Sequence, residues 1–321
     1  MNYLNLTKQI MNQKIRIGTR GSQLALYQAE KVKATLINQF PEMEVEIQII
    51  KTKGDKILDV ALSKIGDKGL FTKEIENALL DNSVDIAVHS LKDLPTTLPD
   101  GLKLGAVLER AEYRDALVSK NGKKLAELGE GDVVATSSLR RQAGLLKIAP
   151  KVTIKDIRGN VLTRLQRMEE GYCDAMIMAA AGLQRLGLEQ HITEIIDHND
   201  IMPAVSQGII AIEIRDNDEA TQEILNAINH IPTLESAQAE RAFLAHLQGG
   251  CQVPVGCYSV RRDNEIELHG FVASVDGKLM IQEKASGNIE ECHELGVTLA
   301  KKLLALGAKE ILDNIRIEKT V

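Results

Sequence analysis

The hydrophobic and polar positions of the chain follow two periods, one typical of buried strands and one typical of amphipathic helices. Residues 14–19 (KIRIGT) form an apolar run, and from Ser22 to Asn38 apolar residues recur near helical spacing. These patterns predict a strand and then a helix with Ser22 at its N-cap. EVEIQII, TKEIENALLD and VDIAVHS continue as strand, helix and strand. Such alternation predicts βαβ units and a mostly parallel sheet.

The same alternation starts again after a loop around Glu109 to Arg114. ALVS, DVVATS and VTIKDI predict strands, and helices are expected over 139–148 and 161–170. The apolar run IIAIEI predicts one more strand, which we expect to return to the sheet of the first lobe. Two crossings between lobes predict a hinge, and a cleft between the lobes is the expected ligand site.

The last part of the chain has a different pattern. EIELHGFVASVDGKLMIQEKASG alternates apolar and polar residues around an Asp-Gly turn, which predicts an antiparallel hairpin with one solvated face. Helices are expected over 289–305 and 308–315. The chain is long enough for several cores, and we predict three domains. These are a first α/β lobe (1–108 and 209–229), a second α/β lobe (109–208) and a small α+β domain (230–321).

The composition argues against several classes of protein. The 321 residues are 44% hydrophobic and 26% charged, and no apolar run is long enough to cross a membrane. The first thirteen residues have no apolar core typical of a secretory signal. Four scattered cysteines form neither a disulfide framework nor a paired zinc motif, so we expect a cytoplasmic protein without a metal site. A net charge of -6 argues against a nucleic-acid partner.

Arginine is concentrated where predicted strands give way to helices. Helix N-termini attract anions, and guanidinium groups bind planar carboxylates and phosphates bidentately. Solvated helix faces and surface ion pairs explain any one of these arginines, whereas the placement of the whole set at strand ends favours an anionic ligand. Arg20, Ser22 and Lys68 add similar groups in the first lobe. The set in the second lobe consists of Arg140, Arg141, Arg158, Arg164, Arg167 and Arg185.

One acidic residue closely follows a predicted buried strand. In HSLKDLP the strand ends at His89, and Lys92 and Asp93 precede Pro95, which cannot continue a paired strand. A carboxylate at such a strand end can transfer protons or stabilise a cation formed during a reaction. A surface turn in which Asp93 pairs with Lys92 explains the same residues equally well. His89 is expected to be a hydrogen-bonded structural residue.

Cys251 lies in LQGGCQVPVG, a loop whose glycines and proline favour unusual backbone angles over core packing. A thiol exposed in a loop can serve as a nucleophile or as a tether. A buried cysteine, which is the expectation for Cys173 in YCDAMIM, acts as a small hydrophobic residue. The residues alone leave both interpretations open for Cys251.

Several motifs together resemble the hydroxymethylbilane synthase (porphobilinogen deaminase) family, in its order and at its spacings. They are TRGSQLAL, GDKGLFTKE, HSLKDLP, TSSLRRQ, RGN with a following TRL, AAAGLQRLGL, PAVSQG and LQGGCQVPVG. The resemblance runs from about Lys14 to the C-terminus, and one departure is Ser206, where the family commonly has glycine. It implies an α/β fold with two lobes like those of periplasmic solute-binding proteins, joined by a hinge, and a small C-terminal α+β domain.

The resemblance also implies an activity. Four molecules of porphobilinogen, a pyrrole with an aminomethyl group, an acetate and a propionate, are joined on a dipyrromethane cofactor that a thioether links to Cys251. Each addition releases ammonia, and hydrolysis then releases hydroxymethylbilane. Asp93 is implied to assist the departure of ammonia, to stabilise positive charge and to help remove the final α-proton. A monomer is also implied. The residues that match the family's substrate or cofactor contacts are Arg20, Ser22, Lys68, Lys92, Thr136, Ser138, Arg140, Arg141, Arg158, Arg164, Arg185 and Gln207.

Two other functions stay open from the sequence. A non-catalytic solute-binding or ligand-sensing protein would share the two-lobe architecture, and it would carry no covalent adduct. A cysteine hydrolase would act through Cys251, but no histidine lies in an obvious partnering motif.

Overall fold

The computed structural model describes residues 14–56, 69–249 and 253–318. These residues fall into two compact units. The first comprises 14–56, 69–110 and 209–234, and the second comprises 111–208, 235–249 and 253–318. Within the described ranges, no helix is both long enough and apolar enough to span a membrane.

The strands, in chain order, are β1 (Lys14–Thr19), β2 (Glu44–Ile49), β3 (Ile86–Ser90), β4 (Leu102–Val107), β5 (Asp115–Ser119), β6 (Val133–Ala135), β7 (Thr153–Lys155), β8 (Ala175–Ala179), β9 (Glu194–Ile195), β10 (Ile210–Arg215), β11 (Val255–Arg262), β12 (Glu265–Ala273) and β13 (Met280–Asn288). The helices are α1 (Gln23–Gln39), α2 (Lys53–Lys56), α3 (Lys73–Leu80), α4 (Leu139–Ile148), α5 (Val161–Glu169), α6 (Ala180–Gln184), α7 (Glu219–Asn226), α8 (Ile231–His246), α9 (Cys292–Leu303) and α10 (Lys309–Glu318).

The first unit contains a five-stranded sheet in the order β2-β1-β3-β10-β4. Strands β1, β2 and β3 are parallel to one another, whereas β10 is antiparallel to both β3 and β4. The prediction that IIAIEI returns to this sheet is confirmed, because β10 fills the position between β3 and β4. The prediction of a mostly parallel sheet is confirmed for strand direction, because β1, β2, β3 and β4 all run the same way and only β10 runs against them. The returning strand enters in the opposite direction, so the sheet is mixed.

The second unit contains another five-stranded sheet, in the order β7-β6-β8-β5-β9. Its strands β6, β7 and β8 are parallel, and β5 is antiparallel to β8 and β9. Both sheets therefore consist of a parallel trio with an antiparallel pair beside it. In both sheets the carboxyl ends of the parallel trio lie along one edge, where an open α/β sheet presents its ligand-binding groups.

The second unit also contains the antiparallel sheet β11-β12-β13. The predicted hairpin is confirmed: β12 and β13 pair from Glu265↔Asn288 to Ala273↔Met280, and Gly277 in the turn has φ 70°. Helices α8, α9 and α10 contribute Phe243, Leu299 and Leu312 to the core beneath this sheet. The burial of each such side chain stabilises the fold by about 1.5–3 kcal/mol.

Local sequence explains where the helices begin. The Ser22 hydroxyl caps α1 by accepting a hydrogen bond from the Ala25 backbone N–H at 3.3 Å, as the sequence predicts. Ala29, Val32 and Leu36 then recur at helical spacing on one side of α1 and are fully buried. Asn160 caps α5 in the same way, with Thr163 as donor at 2.9 Å.

The turn before β10 has an unusual backbone. Ser206 has φ 60°, a left-handed conformation that costs a residue with a Cβ atom about 1–2 kcal/mol. Its hydroxyl oxygen is buried and finds no hydrogen-bond partner among the described residues. Gly208 has φ 89°, and a Cβ atom there would lie 2.8 Å from the carbonyl oxygen of Ala111. The turn therefore requires glycine at 208 and tolerates serine at 206 only at a cost.

We predict that Ser206→Gly stabilises the protein by about 1 kcal/mol. It removes the left-handed strain and the unpaired hydroxyl, and these gains exceed the entropy that glycine loses on folding. Denaturant unfolding followed by circular dichroism measures the change. Asn82→Gly is the matched control, because Asn82 is exposed and also has a positive φ. A Ser206→Gly variant that is less stable than the wild type would contradict the prediction.

Candidate functional site

Asp93 lies where β3 leaves the first sheet. A single turn of 3-10 helix, Leu91–Asp93, follows the strand, with Leu91 buried and Asp93 exposed. The Leu91 backbone N–H donates to the Ile209 carbonyl at 3.0 Å, and Gln28 Nε2 donates to Ser90 Oγ at 2.8 Å. The first bond fixes the backbone of the turn and the second holds the Ser90 side chain before it, so protein groups on both sides support the position of Asp93. Lys92 is half-buried in the same turn.

His89 takes the structural role that the sequence predicts. Its Nε2 lies 3.1 Å from Glu213 Oε2, and both side chains are buried between β3 and β10.

Arg20 and Ser22 follow β1 at the same edge of the first sheet. The guanidinium of Arg20 forms an ion pair with Asp55, and its carbon Cζ lies 4.2 Å from the centroid of the Phe71 ring. Thr52 Oγ1 donates to the same carboxylate at 2.8 Å. Burial alone would raise the pKa of Asp55, but the hydrogen bonds from Arg20 and Thr52 outweigh it and lower the pKa. The carboxylate therefore holds the Arg20 guanidinium in place. Lys68 lies outside the described residues.

In the second unit, two candidate arginines share one carboxylate. Arg140 Nη1 donates to Asp115 Oδ2 at 2.8 Å, and Arg141 Nη2 donates to Asp115 Oδ1 at 2.7 Å. Asp115 is 0% exposed, Arg140 4% and Arg141 7%. Burial by itself raises the pKa of Asp115, but the two guanidinium groups hold it well below its usual range. All three groups are therefore charged inside the protein.

Gln207 belongs to this cluster. Its Nε2 donates to Asp115 Oδ1 at 2.9 Å and to the Tyr113 carbonyl at 2.8 Å. The backbone N–H of the preceding residue, Ser206, donates to Glu240 Oε2 at 2.7 Å, and Glu240 is 0% exposed. The side-chain amide of Gln207 is thus directed at a protein carboxylate.

The remaining candidates also follow the parallel trio of the second sheet. Thr136 is buried and Ser138 half-buried just after β6, and the Ser138 backbone N–H donates to Thr136 Oγ1 at 3.3 Å. Arg164 Nε donates to the Gly159 carbonyl at 2.8 Å, and Arg185 Nη2 donates to the Gly208 carbonyl at 2.7 Å. Arg158, directly before Gly159 in the sequence, is 9% exposed. Because β6, β7 and β8 are parallel, the residues that follow them lie along one edge of the sheet.

Two residues of the site were missed in the sequence. Asp115 begins an apolar strand and Glu240 lies within a helix, so neither stands in a glycine-rich or strand-end motif. The signal for Asp115 is the pair of adjacent arginines in TSSLRRQ, since two cations that fold into a core require an anion.

Three of the four cysteines are described, and all three are buried. Cys173 is 3% exposed, as expected for a small hydrophobic residue, Cys257 0% and Cys292 6%. Burial raises the pKa of the Cys173 and Cys292 thiols. These two thiols therefore stay protonated and inaccessible, which does not suit a nucleophile. Cys251 lies outside the described residues.

Together, the fold and these side chains define a mixed α/β protein with cationic groups at the edges of its sheets. The family model described as porphobilinogen deaminase, dipyromethane cofactor binding domain, matches residues 15–223. The model of the C-terminal domain of porphobilinogen deaminase matches residues 234–305. The chain therefore belongs to the porphobilinogen deaminase family, a family of transferases in tetrapyrrole biosynthesis with a dipyrromethane cofactor.

Curated relatives agree with this assignment. The chain is 49% identical over 306 residues to the porphobilinogen deaminase of Carboxydothermus hydrogenoformans, covering 95% of this chain and 98% of the relative. It is 47% identical over 310 residues to that of Chlorobium chlorochromatii (95% and 99% covered) and 48% identical over 302 residues to that of Geobacter sulfurreducens (94% and 95% covered).

Solved structures show a more distant likeness. The periplasmic VFT2 domain of Bordetella pertussis BvgS, in a double mutant, is 13% identical with a TM-score of 0.44, covering 70% of this chain and 89% of that domain. The effector binding domain of BenM is 16% identical with a TM-score of 0.43, covering 69% and 93%. This likeness concerns the arrangement of strands and helices, and nothing about ligands follows from it.

The residues of the second unit fit a cofactor that bears carboxylates. Arg141 Nε is buried and has no hydrogen-bond partner among the described residues, so a donor is left for a ligand oxygen. The Asp115 cluster contains two cations and one anion, which leaves positive charge to be balanced.

We predict that Asp115→Asn lowers the free energy of unfolding at pH 7 by about 3–5 kcal/mol, because it leaves two buried cations without their anion. The depressed pKa of Asp115 means that its stabilisation is present above the unfolded pKa of about 4 and is lost as the pH falls below it. The variant should therefore lose less stability than the wild type between about pH 5 and about pH 3. Denaturant unfolding at each pH measures this. Equal losses in the two proteins would contradict the prediction.

Proposed function

We propose that the protein is a hydroxymethylbilane synthase in which Asp93 carries the proton chemistry, Cys251 holds the dipyrromethane cofactor and the arginines bind the carboxylates of the growing chain. The observation that carries this proposal is the buried pair Arg140 and Arg141, which shares a single anion inside an otherwise acidic protein. A cluster with excess positive charge suits a ligand that gains two carboxylates with every pyrrole.

Asp93 is suited to proton transfer because it is exposed in the turn at the end of β3. Each cycle forms one carbon–carbon bond, releases one ammonia and removes one proton from the attacking pyrrole carbon. A carboxylate beside the reacting atoms can assist the departure of ammonia, stabilise the positive charge that develops, and accept that proton. When bound, the dipyrromethane supplies the pyrrole carbon to which the first substrate is joined.

The cationic and hydroxyl side chains bind and orient the carboxylates of porphobilinogen and of the cofactor. Guanidinium groups at helix starts bind a carboxylate bidentately, and the nearby helix N-termini add backbone donors. Gln207 acts through Asp115, to which its amide donates. The residues that we assign to ligand binding are Arg20, Ser22, Lys68, Lys92, Thr136, Ser138, Arg140, Arg141, Arg158, Arg164 and Arg185.

Cys251 is the attachment residue in this proposal. Support comes from the other three cysteines, which are all buried. A thioether at Cys251 needs a thiol that substrate can reach, and the glycines at 249 and 250 allow the chain to present it.

We also propose a monomer in the cytoplasm with three domains, namely 1–108 with 209–229, 109–208, and 230–321. The small number of cysteines supports the location. The gap between the two family matches, which end and begin at residues 223 and 234, supports a domain boundary near residue 230.

The first test of this proposal is the intact mass of the purified protein. We predict a mass above that of the polypeptide by one dipyrromethane unit, and the loss of this added mass in Cys251→Ser. Cys292→Ser is the matched control and should keep the adduct, because Cys292 is buried and its thiol contacts Gln238. A bare polypeptide mass in protein that produces hydroxymethylbilane would overturn the proposal. A bare mass in protein that only binds ligand would favour a solute-binding protein.

The second test concerns Asp93. We predict that Asp93→Asn folds and binds porphobilinogen with a KM within about threefold of the wild type, while kcat falls by about 10²–10⁴, the range of a lost acid–base group. Ammonia release measures turnover. Asp100→Asn is the control, since Asp100 is an exposed aspartate of the same lobe. Near-normal ammonia release by Asp93→Asn would remove Asp93 from this role.

A further inference from the structure

The contacts of the Asp115 carboxylate leave the arginine pair incompletely satisfied. Arg140 Nη1 also donates to the Met202 carbonyl at 2.5 Å, and Arg141 Nη1 donates to the Ile177 carbonyl at 3.0 Å. These bonds, with the two to Asp115, fix both guanidinium planes. Arg141 Nε, which is buried, donates to nothing among the described residues. An unpaired buried donor costs about 1–3 kcal/mol unless a ligand pairs with it.

The charges of the cluster are also unequal. Arginine stays protonated in proteins, so Arg140 and Arg141 contribute two positive charges against one negative charge from Asp115. A buried excess charge is unfavourable, and a purely structural ion pair is expected to be balanced. The ion pairs of these three residues, each more than nine-tenths buried, thus leave one positive charge unmatched, which suits an anionic ligand.

A balanced cluster in the first unit provides the comparison. Asp85 also contacts two arginines, at 2.7 Å from Arg16 Nη2 and 3.7 Å from Arg215 Nη2. Here Arg215 also contacts Asp218 at 2.6 Å, so two cations meet two anions. The Asp85 cluster is therefore neutral, whereas the ion pairs of Asp115 carry a net positive charge.

We propose that Asp115 is a positioning residue for ligand binding: it neutralises half the charge of the arginine pair and aligns it, so that Arg141 Nε binds one carboxylate group of the ligand. This inference rests on the proposed function and deepens it, because it assigns a single carboxylate to this cluster. Asp115 acts through Arg140 and Arg141, to which its carboxylate is bonded, and performs no chemistry itself.

Two further contacts hold Asp115 in this role. Gln207 Nε2 links the Asp115 carboxylate to the Tyr113 backbone, so the carboxylate cannot rotate freely between the two guanidinium groups. Glu240 fixes the Ser206 N–H next to Gln207 and accepts from Ser259 Oγ at 2.8 Å. Helix α8 and strand β11 therefore help to fix the turn that carries Gln207.

The test compares three variants of the full-length protein: Asp115→Asn, Gln207→Met and Asp85→Asn. Two quantities are measured at a temperature where circular dichroism shows each variant folded. They are the fraction of molecules that carry the covalent adduct by intact mass, and the KM and kcat for porphobilinogen. Gln207→Met removes the hydrogen bond to Asp115 but keeps both ion pairs. It therefore tests the positioning role of Asp115 even if Asp115→Asn does not fold.

The expected result is a shift in binding rather than in chemistry. Asp115→Asn should raise KM about tenfold and lower the adduct fraction, while kcat of the loaded molecules changes less than about threefold, the pattern of a lost binding interaction. Gln207→Met should raise KM about threefold. Asp85→Asn should leave KM and adduct fraction at wild-type values, although it lowers stability.

Two results would overturn the proposal. One is an Asp115→Asn variant that matches Asp85→Asn in KM and adduct fraction. The other applies if Asp115→Asn does not fold: a Gln207→Met variant whose KM and adduct fraction equal those of the wild type. Wild-type protein that carries no adduct and forms no hydroxymethylbilane would instead show that the proposed function is wrong, so the two failures are distinguishable.

Discussion

The second unit depends on one buried ionic contact, in which Asp115 at the start of β5 meets Arg140 and Arg141 at the start of α4. Charges of this kind are stable inside a protein only when each finds an opposite charge and further hydrogen bonds. The carbonyls of Met202 and Ile177 and the amide of Gln207 supply those bonds. The contact thereby ties a strand, a helix and the turn before β10 to one another.

The turn from Pro203 to Gly208 shows what this arrangement demands of the backbone. Gly208 adopts a positive φ against the Ala111 carbonyl, and its own carbonyl accepts a hydrogen bond from Arg185. Ser206 adopts a positive φ as well, although it has a side chain. The backbone bond from Ser206 to Glu240 compensates for part of this strain. A strained turn beside a cluster of fixed charges is typical of a functional site.

In the first unit, protein groups also hold candidate side chains at the edge of the sheet. Arg20 is held by Asp55 and by the face of Phe71, and the turn after β3 is held through Leu91. Protein groups thus fix several candidate side chains before a ligand binds. Such preorganisation reduces the entropy that binding costs, and it strengthens electrostatic stabilisation of charge formed in a reaction.

The sequence by itself determined the local elements, because they depend on periodicity and capping. The bounds of α4, the Ser22 cap and the Asp-Gly hairpin follow from residues near in sequence. The family also followed from the sequence, since its motifs span nearly the whole chain.

Only the tertiary structure decided the mixed direction of the sheets and the partners of the arginines. β4 was not predicted, because its pairing with β10 joins residues more than a hundred positions apart. Asp115 was missed for the same reason: it lies 25 residues from Arg140 and 92 from Gln207, and nothing local distinguishes it from any acid at a strand start. Short-range rules specify helices, strands and caps, whereas the neutralisation of a buried charge depends on which distant residues the fold brings within about 3 Å of it.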